Sequence, residues 1–167
     1  MNYKLSSICD YANERINVSK IDNTTYISTE NMLPDKGGIV NASSLPAIRQ
    51  TQSFRKGDVL ISNIRPYFKK IWKADFDGGC SNDVLVFRAK EGVDSAFLHY
   101  VLSDNKFFEY ATATSKGTKM PRGDKKAIME YEVPDFSYHI QRNIAGILDL
   151  LDKKIQLNKK INENLAA

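Results

Sequence analysis

SYHIQRNIAGILDLLDKKIQLNKKINENL, residues 137–165, is one uninterrupted helical pattern, and the sequence holds no other element of comparable length to bury its apolar stripe. With Leu148, Ile155 and Asn162 at heptad position a, Ile144, Leu151, Asn158 and Leu165 fall at d, flanked by Ile147 and Ile161. That repeat predicts a coiled-coil seam. At 1.5 Å rise per residue the helix would span roughly 40 Å, more than a small domain needs to cap its own core, so it reads as a spacer or dimerisation rod. Asn158 and Asn162 weaken the seam while fixing register and partner choice. The competing expectation is an amphipathic helix folded back on its own domain.

A chain of 167 residues accommodates one domain of ordinary size plus this helix. The expected division is 1–135 for the globular unit and 136–167 for the rod. No stretch is long and apolar enough to cross a membrane, and Met1 to Ser7 lacks an apolar signal core, so a cytoplasmic location is expected. Cys9 and Cys80 are isolated, with no CxxC spacing and no nearby histidines. That suits buried packing residues in a reducing compartment and argues against zinc. The sequons at Asn17, Asn23 and Asn41 then have no consequence.

Upstream of the rod the middle of the chain reads as β. Thr24 to Ser28 is β-prone, and Asn31 to Asn41, with Pro34, Gly37 and Gly38, predicts a long exposed loop. Val59 to Ile64 predicts a strand, Arg65-Pro66 a break, and Phe68 to Ala74 a second strand that completes a hairpin or corner. Gly78-Gly79 predicts a turn and Asp83 to Ala89 a third core strand. Asp94 or Ser95 caps a helix carrying Phe97, Leu98, Val101 and Leu102, and Phe107, Phe108 and Ala111 mark another. From Thr112 to Lys126 the pattern dissolves into small, polar and basic residues before a short strand, Tyr131 to Val133, that Pro134 ends. The fold class expected is α+β: a mostly-β domain with short helices, then one long C-terminal coiled-coil helix. No internal repeat is present.

Catalytic chemistry finds little support. The glycine pairs lack the strand, turn and helix context of a dinucleotide or phosphate site, there is no P-loop, and no Pro-Pro-Tyr type loop stands ready to hold a flipped base. Pro134-Asp135 with Asp152-Lys153-Lys154 loosely mimics a metal-nuclease set, but Asp152 lies mid-helix, far from Asp135. No metal site is expected. His99 and His139 have no local nucleophile or ligand set, which leaves packing or surface roles.

A net charge of +4 is too modest to identify a nucleic-acid binder, but its distribution is informative. Ser62, Asn63, Arg65, Tyr67 and Lys69 combine cations with groups suited to base edges. The second loop joins Gly117, Ser115 and Thr118 to Lys116, Lys119, Arg122, Lys125 and Lys126, a composition suited to tracking phosphates. With Thr29, Asn31 and Lys36 from the first loop, these residues predict a DNA-reading surface built from loops on a β scaffold. Lys153, Lys154, Lys159 and Lys160 on the rod read as a solvated face, with Asp149 and Lys153 an i,i+4 pair.

FRKGDVLISNIRPYFKKIWKADFDGGCSNDVLVF (Phe54 to Phe87), GTKMPRGDKKAI (Gly117 to Ile128) and VPDFSYHIQRNIAGILDLLDKKIQLNKKINENL (Val133 to Leu165) together resemble the specificity subunit of type I restriction-modification systems. The resemblance covers nearly the whole chain. It implies a target recognition domain, similar to the DNA-reading domain of adenine methyltransferases, followed by a long helix. In that family domain and helix normally occur twice, the helices packing antiparallel to hold two recognition domains apart. Here they occur once, which implies a half subunit that completes itself as an isologous homodimer through Ile144, Leu148, Leu151, Ile155 and Leu165. The resemblance further implies a non-catalytic subunit with a bipartite target, palindromic for a homodimer. Partner modification (methyltransferase) and restriction subunits would carry the S-adenosylmethionine site and the ATP- and Mg-dependent nuclease. Two alternatives stay open: a coiled-coil adaptor that binds protein without DNA, and the DNA-reading fragment of an adenine methyltransferase.

Overall fold

The computed structural model describes residues 2–165, so the expected bounds at Met1 and Ala166-Ala167 lie outside the described residues. The strands β1 (Asn2–Lys4), β2 (Cys9–Tyr11), β3 (Arg15–Asn17), β4 (Tyr26–Ile27), β5 (Gln50–Phe54), β6 (Val59–Ser62), β7 (Ile71–Lys73), β8 (Gly78–Cys80) and β9 (Val84–Ala89) come first. Then follow α1 (Ser95–Ser103), α2 (Asn105–Ala113), α3 (Lys125–Met129), β10 (Glu132–Pro134) and α4 (Tyr138–Leu165). The α+β expectation stands.

One antiparallel sheet runs β2-β9-β6-β7. A second runs β3-β5-β8-β4, in which only the β4–β8 pair is parallel. Successive side chains of a strand face opposite ways, and this explains why β6 and β9 are apolar without alternation. Val59, Ile61, Leu85 and Phe87 face Leu98, Leu102, Phe107 and Phe108 of α1 and α2. Their neighbours Leu60, Val84 and Val86 face Ile27, Phe54 and Cys80 of the second sheet. The first sheet is thus the middle layer between helices and the other sheet. Aspartates cap the helices: Asp94 accepts from the Phe97 amide at 2.9 Å and Asp104 from the Lys106 amide at 3.0 Å.

Gly78 and Gly79 form strand β8 and not the turn that their sequence suggests. A Cβ at Gly78 would stand 2.2 Å from the Thr25 carbonyl oxygen and 2.7 Å from the Phe54 ring, and one at Gly79 would stand 2.7 Å from Ile21. The pair is needed for close approach of strands, since only a residue without Cβ fits there. Cys9 and Cys80 are free thiols, fully buried, and burial pushes both pKa values up to about 12.

Asp58 is the charged group of the core, 3% exposed. Arg88 meets it in a two-pronged pair, Nε to Oδ1 at 2.8 Å and Nη2 to Oδ2 at 2.7 Å, and the Arg55 amide donates to Oδ2. Arg88 also reaches Glu14 at 3.1 Å, beside the start of β3. One guanidinium therefore ties the two sheets together.

The proximal half of α4 lies on α1. Gln141 and Ala145 are buried, the Gln141 side chain accepting from the Asp94 amide and donating to the Phe136 carbonyl, and the Tyr100 hydroxyl donates to Asp152 at 2.8 Å. From Leu150 onward every described residue is exposed. Leu148, assigned to the centre of the seam, is half-buried in a groove beside α1, and Ile155, at the end of that groove, is 52% exposed. The open apolar stripe comprises Ile147, Leu150, Leu151, Ile155, Leu157, Ile161 and Leu165. Folding back therefore accounts for one edge of the first half of the helix, while the rest has no cover within the chain.

His99, on α1 under this groove, is packed as expected, and its Nδ1 has no partner among the described residues. Burial, reinforced by the charge of Lys73 and opposed by Asp152, lowers its pKa from 6.5 to about 4. Between those values the unfolded chain takes up a proton that the folded chain refuses, so stability falls as pH drops through this window. His99→Gln is expected to flatten that slope in urea midpoints measured from pH 7 to 4.5; an unchanged slope would assign it to other groups.

Candidate nucleic-acid interface

The loops singled out in the sequence meet. The Asp35 and Lys36 amides donate to the carbonyls of Phe68 and Lys69 at 2.9 and 2.8 Å, joining the first loop to the turn after β6. The Arg65 amide donates to the Pro121 carbonyl at 2.8 Å and the Gly123 amide to the Asn63 carbonyl at 3.1 Å, joining that turn to the third segment. Lys116 and Arg122 pair across their own small hairpin, which closes the tip from Gly117 to Pro121. Three stretches distant in sequence thus form one continuous surface, held by main-chain atoms.

Backbone strain concentrates there. Asp35, Lys36, Arg65 and Lys69 are the non-glycine residues with positive φ among the described residues, with values from 51° to 61°. Such conformations persist only where surrounding structure enforces them, and they gather at functional sites. Arg65 and Lys69 bracket a single 3-10 turn, Pro66 to Phe68, that packs on α2. Asn63 Oδ1 and Arg65 Nε, at the junction of two loops, are buried without a partner among the described residues.

The expected contact residues divide into two sets. Lys36, Tyr67, Lys116, Thr118, Lys119 and Arg122 are exposed, and Arg65 and Lys69 are half-buried at the rim. Arg122 rests against Asp83 at 3.2 Å and Lys116 against Asp124 at 2.6 Å, so both cations are held in place. Lys125 and Lys126 are exposed but stand on the first turn of α3, capped by Asp124, and not in a flexible loop. Asn31, Ser62 and Asn63 are corrections: all three are buried. The Asn31 side-chain amide donates to the Tyr26 and Val40 carbonyls and its oxygen accepts from Ser28, which closes the first loop from within. Thr29 is half-buried, and its carbonyl holds the Lys70 ammonium at 2.6 Å. Residues that the sequence reading passed over include Phe68 and Met120, exposed at the loop tips, and Pro121, the anchor of Arg65. Two large apolar side chains next to cations and turn-forming residues were the available signal.

The family model for the type I restriction modification DNA specificity domain matches residues 1–167. The chain belongs to that family. As a specificity domain it is a recognition component and not a catalytic one. It is 30% identical over 117 residues to the type I restriction enzyme EcoDI specificity subunit of Escherichia coli, covering 68% of this chain and 25% of that protein. It is 28% identical over 174 aligned positions to the HindI specificity subunit of Haemophilus influenzae, covering 98% and 37%. The crystal structure of the HsdS subunit from Thermoanaerobacter tengcongensis superposes with a TM-score of 0.72 at 21% identity, over 96% of this chain and 44% of that one. That structural likeness extends the family's fold to the whole specificity domain, long helix included. The chain spans 25% and 37% of the length of these two curated relatives.

Proposed function

We propose that residues 1–135 read duplex DNA through the joined loops, and that residues 136–167 form a rod that pairs with a second copy of the chain. The main-chain union of the three loops carries the DNA reading: it turns scattered cations into one rigid cationic surface with preset side-chain positions. Lys36, Lys69, Lys116, Lys119, Lys125 and Lys126 neutralise phosphates, while Arg65, Tyr67, Thr118 and Arg122 face base edges. Asn31, Ser62 and Asn63 hold the loops from inside.

The uncovered stripe on α4 supports pairing of two copies as an antiparallel coiled coil. A rod of roughly 40 Å then separates two reading surfaces by about one turn of DNA, where two-fold proteins place half-sites about 34–36 Å apart. The target is bipartite with a nonspecific gap, and palindromic when both copies are identical. Modification and restriction subunits dock on this scaffold and are directed to the target, bringing S-adenosylmethionine chemistry and ATP- and Mg-dependent cleavage with them.

Genome-wide mapping of N6-methyladenine tests the reading, in cells expressing this chain with its modification subunit and no other specificity subunit. A gapped palindromic motif is the expected result; absence of methylation would overturn it. In vitro, Arg122→Ala is expected to weaken duplex binding by about 1–3 kcal/mol, the worth of a base-edge contact, with the dimer intact. Unchanged affinity in fluorescence anisotropy would remove this loop from the interface.

A further inference from the structure

Two aromatic rings stand in the open at the centre of the cationic surface. Tyr67 is 47% exposed and Phe68 40%, with ring centroids 4.9 Å apart. Met120, 50% exposed, caps the adjoining tip. Phe54, Phe87, Phe107 and Phe108 pack into the core by contrast, and Tyr3, 44% exposed, stands apart from the cationic loops. Phosphate contacts give no reason to hold two rings in water, and a base-edge hydrogen bond would use the Tyr67 hydroxyl alone, leaving the exposed Phe68 without a role.

The turn that presents them is built to stay put. The Phe68 amide donates to the Arg65 carbonyl at 3.0 Å and the Lys69 amide to the Pro66 carbonyl at 2.9 Å. Both flanking residues are left-handed, Pro66 is buried, and bonds to Asp35, Lys36 and Pro121 fasten the turn from both sides. The Lys70 ammonium, tied to the Thr29 carbonyl, lies 5.8 Å from the centroid of the Phe68 ring. Phe68 is thereby held next to a fixed cation, and Tyr67 is the more exposed ring of the pair. A rigid aromatic pair flanked by Arg65, Lys69 and Lys36 is suited to a polyanion with flat apolar faces inside, which is the chemistry of stacked bases.

We infer that Tyr67, backed by Phe68, is a wedge that enters duplex DNA and stacks on a base at an opened step. This rests on the DNA-reading proposal and adds to it a second source of sequence preference. Inserting a ring requires local unstacking, and steps differ in how readily they unstack, so the wedge favours deformable steps that no side chain contacts by hydrogen bonds.

The test uses the full chain, two otherwise identical short fluorescent duplexes, one intact and one with a single central abasic site, and a range of salt concentrations. The abasic site offers a ring-sized gap without the cost of unstacking. Wild type is expected to bind the abasic duplex about tenfold more tightly, as loss or gain of one base–aromatic stack implies. Tyr67→Phe should keep that preference and Tyr67→Ala should lose it, binding both duplexes alike with the salt slope of wild type. Equal affinity of wild type for the two duplexes, or a preference that survives in Tyr67→Ala, overturns the wedge and leaves DNA reading in place. Absence of salt-dependent binding to either duplex overturns the DNA reading itself, and the wedge with it.

Discussion

Leu151→Asp is expected to convert the proposed dimer to a monomer and to lower affinity for a two-half-site duplex by about 10²–10⁴-fold, the gain that linkage of two sites would confer. Leu151 lies on the uncovered stripe of α4 and is 52% exposed in the single chain, outside the buried core of the recognition domain. In a paired helix the same position is enclosed, and a carboxylate there would be desolvated without a partner. Affinity for a duplex with one half-site is expected to stay within about twofold of wild type, which separates loss of linkage from loss of reading. Sedimentation equilibrium and anisotropy on the two duplexes check both halves of the statement. A variant that remains dimeric would refute the stripe as the pairing surface.

Arg88→Ala should destabilise the fold by about 3–5 kcal/mol in urea unfolding at pH 7. Its removal leaves Asp58, 3% exposed, as a buried carboxylate that keeps only the Arg55 amide as hydrogen-bond donor. The Asp58 and Glu14 carboxylates together hold the Arg88 pKa above its ordinary value, which is the same coupling seen from the other side. Arg55→Ala is the control. The Arg55 guanidinium also meets Glu14, at 2.6 Å, but that pair is largely exposed and solvent-screened, so its loss should cost less than about 1 kcal/mol. Equal midpoints for the two variants would show that the pair does not join the sheets. The consequence reaches the interface, because Asp58 immediately precedes β6, the strand that delivers Asn63 and Arg65 to the loop junction.

The parts of this fold visible in the sequence are those with long periods. Residues 137–165 repeat without interruption, and α4 begins one residue later than read. The apolar runs of β6 and β9 were equally plain, because both faces of their sheet are covered. Arg15-Ile16-Asn17 and Cys9-Asp10-Tyr11 are three-residue strands, too short for any alternation to register. Gly78-Gly79 was misread for a different reason. Glycine in a turn and glycine where strands crowd look alike on paper, and the carbonyl of Thr25 that decides between them is 53 positions away. The stripe on α4 was legible, but the edge of it that α1 covers was not, since the packing angle of two helices is set by side chains on both.

The interface shows the same division. Composition points to the cations and turns of the candidate surface, and Lys36, Tyr67, Lys119 and Arg122 are exposed there. Composition misled at Asn31, Ser62 and Asn63, whose polar side chains look outward in a sequence and point inward in the fold. What no sequence pattern carries is the union of the loops, because every residue type has a main-chain carbonyl and every type but proline an amide donor.

That union bears on how such a surface changes over generations. The fasteners at Asp35, Lys36, Arg65 and Gly123 are amide hydrogens, and their acceptors are carbonyls. Side chains at the tips, among them Tyr67, Thr118 and Lys119, take no part in the fastening. If the tips read DNA as proposed, a lineage can exchange those letters one at a time and acquire a new target preference while the loop junction stays closed, so that diversification of specificity and retention of the fold would be decoupled. A library randomised at the three tip positions should consequently stay folded in nearly all members while spreading widely in the motifs that it marks.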